Sequence, residues 1–319
     1  MVSIMRMDYF PLPNLINIDL GKAPEVGYTL ADSMTKAASK QTYYTIRFLA
    51  DRDRTHDAYR AYAYFRWVDD TLDRNESPRT ERLAFLERQQ NLINRSYRGE
   101  PMFNLLPQEE SLVSLIHSDH EENSGLRTYI RHMMAVMEFD AHRRGRWISQ
   151  KELDNYSLHL ATGVTEALHY FIGHNAYAPR SRARYLAVTA AHITHMLRDT
   201  HEDLASGYFN VPCEYLEWYR LDPCDTESMA FRLWVHDRVQ LARTYFAAGK
   251  DYLAQVKNWR CRLAGYAYIK RFESVLDTIE KDEYRLRPVY AEQNTSSGVL
   301  ITAWSALWLI LAPPVRGQT

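Results

Sequence analysis

Two short acidic runs carry the chemistry that is easiest to read in this chain: Asp69-Asp70-Thr71-Leu72-Asp73 and Asp199-Thr200-His201-Glu202-Asp203. On a helix, residues three and four apart share a face. Asp69 and Asp70 therefore line up with Asp73, and Asp199 lines up with Glu202 and Asp203. Three carboxylates on one face repel unless a cation sits among them. Magnesium fits, because it takes oxygen ligands, usually one or two carboxylates completed by water and substrate phosphate. Two such faces across a cavity would hold a diphosphate through bridging metals.

An acidic cluster on a helix is commonly just a solvated face. Here each cluster continues an aromatic or apolar stripe and has an arginine at its N-terminal edge. Tyr62, Phe65, Asp69 and Asp73 fall on one face, with Arg66 and Asp70 beside it. His192, His195, Asp199 and Glu202 form one row, with Arg198 next to it. A solvated face has no reason to put aromatics and acids on the same side. Acid and guanidinium together suit an anionic substrate held by metal and arginine.

The elements that must position these groups read as helices. The 12 prolines leave long gaps at 25–77, 108–178, 180–211 and 224–287, and proline is strongly disfavoured inside helices. Apolar residues recur near a 3.6-residue period over 31–49, 57–72, 80–93, 126–138, 151–172, 182–203, 228–256 and 264–279. The expectation is one all-α domain over 1–319 with eight to ten helices, an N-terminal extension over 1–25, a loop near 96–107 and a break over 206–226. Residues 294–315 carry no charge, and 299–311 are nearly all apolar before Pro313-Pro314. That run is short of the roughly 20 residues a spanning helix needs. It reads as a buried final helix, with peripheral membrane contact as the other reading.

Bulk properties narrow the partners. The 319 residues are 46% hydrophobic and 25% charged, with a net charge of −1. No basic stripe argues for nucleic acid. Cys213, Cys224 and Cys261 are too few and too scattered for a disulfide framework or zinc site, so a cytoplasmic setting is expected. Tyrosine is common, at 22, and aromatic faces stabilise cations.

The motifs resemble the squalene/phytoene synthase family. Its first motif, Tyr-x-x-x-Arg-x-x-Asp-Asp-x-x-Asp, stands here in full from Tyr62 through Arg66, Asp69 and Asp70 to Asp73. Its second, Arg-Asp-x-x-Glu-Asp, stands at Arg198, Asp199, Glu202 and Asp203. Thr42-Tyr43 resembles the family's Ser-Phe pair. Glu152-Leu-x-x-Tyr156 followed by Ala161 and Gly163 echoes a further motif, and Asp140 sits where the family often has an aspartate. The resemblance implies an isoprenoid-synthase helical bundle around a central cavity. It also implies Mg²⁺-dependent head-to-head coupling of two prenyl diphosphates, farnesyl or geranylgeranyl, through a cyclopropyl diphosphate. The six motif acids would bind the metal and carry the catalysis. Arg66 and Arg198 would clamp diphosphate, and Tyr43, Tyr62, His192 and His195 would line the site. Arg47, one turn beyond Tyr43, either reaches the diphosphate or pairs with an acid. No glycine-rich nucleotide fingerprint is present, yet some members take NADPH without one, so NADPH stays open.

Several positions depart from the family. His192 and His195 stand where Gln and Asn are common, His201 where Gly precedes Glu-Asp, and Phe272 where a tyrosine reaches diphosphate. Thr162 and Thr165 replace glycines, and 207–212 keeps its Gly and Pro but not the residues between. These changes touch the cavity wall and leave the acids intact. They motivate one alternative, an enzyme of the same fold that ionises a single prenyl diphosphate. Another alternative is a non-catalytic assembly factor; such relatives tend to lose motif acids, and this chain keeps all six.

Overall fold

A computed structural model describes residues 23–73 and 78–290, with the backbone alone for 23–29. The predicted extension up to residue 22 and the apolar segment 294–315 lie outside the described residues. Twelve α-helices and no strands are found among the described residues. They are α1 (Ala23–Ala38), α2 (Lys40–Leu49), α3 (Thr55–Leu72), α4 (Arg79–Tyr97), α5 (Pro107–His117), α6 (Gly125–Arg143), α7 (Gln150–Phe171), α8 (Ala183–Arg198), α9 (Thr200–Ala205), α10 (Cys213–Tyr219), α11 (Met229–Gln255) and α12 (Trp259–Lys281).

The excess over the expected eight to ten has local causes. The periodic stretch 31–49 is cut at Ser39, whose extended backbone and side-chain oxygen cap Thr42 N–H and start α2 afresh. Asp199 leaves helical geometry at φ −96°, ψ 9° and divides α8 from α9. The bond from Asp203 N–H to Asp199 C=O, at 2.8 Å, keeps the two pieces in register. The loop before Pro107 is where it was expected. The break over 206–226 contains the short α10, and α5 follows the proline at its first turn.

Packing closes the helices into a ring: α3 against α6, α6 against α7, α7 against α8, α8 against α12, α12 against α2, and α2 back against α3. Outside this ring α11 lies along α8. A Cβ on Gly249 would stand 2.7 Å from the Ala187 Cβ, so only glycine allows that approach. No helix among the described residues is long and apolar enough to cross a membrane.

Asp51 ties one end of the ring together. Its carboxylate accepts from Gly173 N–H at 3.1 Å, from His174 N–H at 2.9 Å and from the Arg260 guanidinium, which also donates to Leu49 and Ala50 C=O. Burial pulls its pKa upward, but the His174 and Gly173 amides and Arg260 more than offset this and hold it below the ordinary value. Asp51→Ala is expected to lower stability by about 3 kcal/mol. A depressed folded pKa contributes stability above the unfolded pKa and loses it as pH falls through the folded value. The gap in melting temperature between wild type and variant should therefore be full at neutral pH and narrow below about pH 4.

Candidate active site

The first acid motif occupies the last turn and a half of α3. Phe65 and Val68 of the same helix sit in the core, which fixes the rotation that turns Asp69 inward. Asp69 is 1% exposed, and neither of its carboxylate oxygens has a hydrogen-bond partner. Arg66 Nη1 lies 3.8 Å away. Burial raises the Asp69 pKa well above the usual carboxylate range. Asp73, Asp70 and Asp140 push the same way, and Arg66 opposes them. Asp70 is half-exposed and held by the Arg66 fork, Nε to Oδ2 at 3.1 Å and Nη2 to Oδ1 at 2.5 Å. Asp73 caps the helix, its N–H bonding to Asp69 C=O at 3.0 Å.

The second motif repeats the pattern. Arg198 forks Asp199 through Nε to Oδ1 at 2.6 Å and Nη2 to Oδ2 at 2.8 Å. The same Nη2 lies 2.6 Å from His195 Nε2. An arginine can only donate, so that imidazole nitrogen is the acceptor and His195 is neutral with its proton on Nδ1. Burial pushes the His195 pKa down to about 4; Asp199 opposes this and Arg198 and Arg271 reinforce it. Asp203 is buried, with Oδ1 unpartnered. Burial lifts its pKa to about 7, Asp199 adds to the rise, and Arg143 and the Asn210 hydrogen bond oppose it. Glu202 is exposed.

A buried polar chain joins the helices behind the motifs. Tyr156 O–H donates to Asp140 Oδ2 at 2.8 Å, and Arg143 Nε donates to Asp140 Oδ1 at 2.7 Å. Arg143 Nη1 donates to Asn210 Oδ1 at 2.8 Å, and Asn210 Nδ2 donates to Asp203 Oδ2 at 2.7 Å. Gly207, at φ +82°, makes the turn after α9 that returns Asn210 to Asp203. Arg143 is 1% exposed and lies against the rings of Tyr208 at 4.9 Å and Tyr156 at 5.1 Å. Sequence reasoning noted Asp140 but missed Arg143 and Asn210. An arginine three residues after Asp140, on the buried face of α6, was the available signal.

The predicted lining residues divide. Tyr62 is buried, its hydroxyl hydrogen-bonded to the Thr42 side chain. Burial pushes its pKa up to about 12, against the pull of Arg66 and that bond. Tyr43 sits one turn away, stacked on Tyr59 at 5.5 Å, while Arg47 is exposed on α2. His192 Nδ1 contacts Ser157 Oγ at 3.1 Å, and its Nε2 is buried without a partner. Burial, with His195 and Arg143 adding to it, depresses its pKa to about 3. Phe272 meets His195 edge-on at 6.2 Å, and Arg271 stands over its ring. His201 reaches Leu286 C=O at 3.3 Å, away from the acids, so this departure ties α9 to the chain after α12.

The donor set fits magnesium and diphosphate. Three buried carboxylate oxygens, on Asp69 and Asp203, have open lone pairs, and Arg66 Nη1, Arg143 Nη2 and His192 Nε2 are buried without partners. Buried polar groups are normally satisfied, so these point to an absent occupant that brings both cations and anionic oxygen. No three His, Cys, Asp or Glu side chains among the described residues converge on one position. The three acids of each motif therefore do not form the three-carboxylate cluster that their spacing predicted; a magnesium ion here would take one or two carboxylates and complete its shell with phosphate and water.

The arrangement is an all-α ring of helices carrying two carboxylate motifs beside a buried arginine. The squalene/phytoene synthase family profile matches residues 35–297, and the chain belongs to that family. It is 26% identical over 191 residues to a presqualene diphosphate synthase of Rhodopseudomonas palustris, a match spanning 59% of this chain and 64% of that protein. It is 24% identical over 300 residues to a 15-cis-phytoene synthase of Synechocystis, covering 88% of this chain and 85% of the relative. In fold it resembles a ligand-bound dehydrosqualene synthase with TM-score 0.70 at 16% identity, over 90% of this chain and 97% of that one. A squalene synthase of Alicyclobacillus acidocaldarius gives 0.65 at 18% identity, over 82% and 96%.

Two substitutions test this geometry. Asp69→Asn removes a buried carboxyl whose oxygens have no hydrogen-bond partner, and should leave the melting temperature measured without divalent cation at or above the wild-type value. The same variant should lose the stabilisation that Mg²⁺ with inorganic diphosphate gives the wild type. Asn210→Leu strands Arg143 Nη1 and Asp203 Oδ2 and should destabilise by about 2–4 kcal/mol in denaturant titration. A neutral result would mean the chain from Asp140 to Asp203 does not hold α9.

Proposed function

We propose that the protein joins two prenyl diphosphates head to head through a cyclopropyl diphosphate intermediate, in a magnesium-dependent reaction. The observation that carries this reading is the set of buried carboxylate oxygens without hydrogen-bond partners on Asp69, beside Arg66, and on Asp203, linked through Asn210 to Arg143. The relatives named for presqualene diphosphate and phytoene support the reaction type and differ in product. The substrates we assign are farnesyl or geranylgeranyl diphosphate.

In this reading Asp69, Asp70 and Asp73 on α3, with Asp199, Glu202 and Asp203 on α8 and α9, hold Mg²⁺ directly or through water. Bound there, the metal supplies Lewis-acid assistance to the departing diphosphate. Arg66 and Arg198, already oriented by their own acids, donate to the diphosphate oxygens as charge develops. Tyr62, Phe272 and Tyr156 give the allylic cation an aromatic, water-poor wall. His192 and His195 stay neutral at physiological pH, so neither adds a competing cation. Since Arg198 uses the Nε2 lone pair of His195, that residue serves to orient Arg198. His192, whose Nε2 is open, is the one placed to contact substrate or take a proton as the final cation collapses.

The purified protein should be incubated with Mg²⁺ and farnesyl or geranylgeranyl diphosphate, singly, with and without NADPH, and the extracts analysed by mass spectrometry. A C30 or C40 hydrocarbon, or a cyclopropyl diphosphate, is expected. Asp69→Asn and Asp199→Asn should each reduce its formation by about 10³-fold or more. A C15 or C20 product alone would replace the coupling reading with ionisation of a single substrate.

A further inference from the structure

Two histidines outside the acid motifs meet nitrogen to nitrogen. His132 on α6 and His159 on α7 bring their Nδ1 atoms to 2.9 Å, with ring centroids 5.0 Å apart and planes inclined at 44°. His132 precedes Asp140 by about 12 Å of helix, and His159 follows Tyr156 on α7. The pair therefore lies on the same α6–α7 seam as the hydrogen bond from Tyr156 to Asp140.

Helix packing sets this approach. His159 and Gly163 are one turn apart and share a face of α7. A Cβ on Gly163 would stand 3.4 Å from the His132 Cβ and from Met133 Cγ and Sδ, so α7 comes close to α6 at this level. Met133 is buried beside His132 and fixes the rotation of α6 there. Both histidines are half-buried, so each ring keeps a side that solvent can reach.

Both rings are neutral at physiological pH. Burial pushes the His132 pKa down to about 4; His159 and Arg131 add to the fall and Glu166 opposes it. Burial and Arg131 lower that of His159. Arg131 Nη2 lies 3.4 Å from His132 Nε2. An arginine only donates, so the His132 proton is on Nδ1, and the lone pair of His159 Nδ1 accepts it. Of the charges near the pair, Arg131 is exposed, and Glu166 is already held by the Arg184 fork and by Tyr185 O–H.

We propose that His132 and His159 form a transition-metal site that takes Cu²⁺ or Ni²⁺ across the α6–α7 seam. Two nitrogens at this spacing, each about 2 Å from a metal, subtend roughly 90° at it. That is the angle between neighbouring ligands in a square-planar or tetragonal shell, the geometry of Cu²⁺ and Ni²⁺ with nitrogen and oxygen donors. It is tighter than the tetrahedral arrangement of zinc. The ion takes the Nδ1 lone pair of both rings, and the His132 proton moves to Nε2 as Arg131 swings off. No third His, Cys, Asp or Glu joins the pair among the described residues, so water fills the other positions. Magnesium, which takes oxygen ligands, does not compete here. The site is thus separate from the acid motifs in place and in preference, and it stands apart from the coupling reaction. A bound ion would join the two helices that carry Asp140 and Tyr156.

The full-length protein, with Mg²⁺ in excess, should be titrated with Cu²⁺ under electron paramagnetic resonance and with Ni²⁺ under thermal melting. In wild type the first Cu²⁺ bound is expected to couple to two imidazole nitrogens, and Ni²⁺ to raise the melting temperature. His132→Gln and His159→Gln should each weaken Cu²⁺ binding by at least about tenfold, the smallest loss expected when even a ligand's supporting partner is removed. Fewer than two nitrogens on the first Cu²⁺ of wild type would overturn the proposal, and that spectrum needs no variant to fold. Equal affinity in wild type and both variants would also overturn it, by placing the ion on exposed histidines such as His117, His120 or His142. None of these readouts uses turnover, so the outcome is distinct from that of the product assay.

Discussion

The fully buried pair of Asp140 and Arg143 is the interaction on which the rest of this site depends. A guanidinium without water is costly, and a buried ion pair is often no more stable than an apolar replacement of similar volume. Here the charge is compensated from several sides, by Asp140, by the Asn210 oxygen and by the rings of Tyr156 and Tyr208. What the pair does is hold things in place. It links Tyr156 on α7 to Asn210 in the turn after α9, and through Asn210 it orients one oxygen of Asp203 while the other is left without a hydrogen-bond partner. Asp140 also repels the Asp69 carboxylate on α3 and adds to the rise in its pKa.

The same interior shows why the acids are built into helices that the core has already oriented. Two carboxylates of low exposure with unpartnered oxygens destabilise the fold when nothing is bound. Only a scaffold stabilised elsewhere can hold them. Phe65 and Val68 on α3, and Ile193, Met196 and Leu197 on α8, pack into the core on either side of the acids. The arginines limit the cost unevenly. Asp70 and Asp199 are each gripped by a guanidinium fork, whereas Asp69 and Asp203 are not. Within each motif one acid is thus paired with a guanidinium and another has an oxygen without a hydrogen-bond partner, a division that the evenly spaced residues do not reveal.

Much of this was legible in the residues. Proline gaps and 3.6-residue periodicity implied an all-α chain, and the spacing of Asp69, Asp70 and Asp73 predicted a shared face that α3 provides. The aromatic stripe running into those acids predicted a face turned from solvent; Asp69 on it is buried and Asp70 is half-exposed. Helix boundaries were less legible. Ser39 ends one helix and begins another through a single capping bond, and Asp199 bends a continuous pattern without any proline or glycine nearby. Asn210 could not be found by spacing, because its contact with Asp203 depends on a left-handed Gly207 and a turn of irregular backbone. Histidines 192 and 195 looked equivalent on a helical row. Only the neighbours, Ser157 for one and Arg198 for the other, separate a nitrogen open to the interior from one already engaged.

The long axis of the ring divides the molecule's tasks. At one end stand the two acid motifs, with Asp69 and Asp203 turned into an interior of low dielectric where each interaction counts for more. At the other end the helix termini are tied by Asp51 and Arg260. On the proposed reading, a long isoprenoid with its diphosphate among the acids would extend its tail away from them, because hydrocarbon gains nothing from the charged end and loses by staying in water. Helices such as α3, α7, α8 and α12 run the distance between the two ends, so their inward residues would meet the tail along its length. On this account product length is a property of the stretch between the acids and the end tied by Asp51. Of the changes on the wall, Phe272 on α12 meets His195 beside the second motif, whereas Thr165 on α7 lies about 14 Å of helix beyond Tyr156, so on the proposed reading the first would bear on ionisation and the second on chain length.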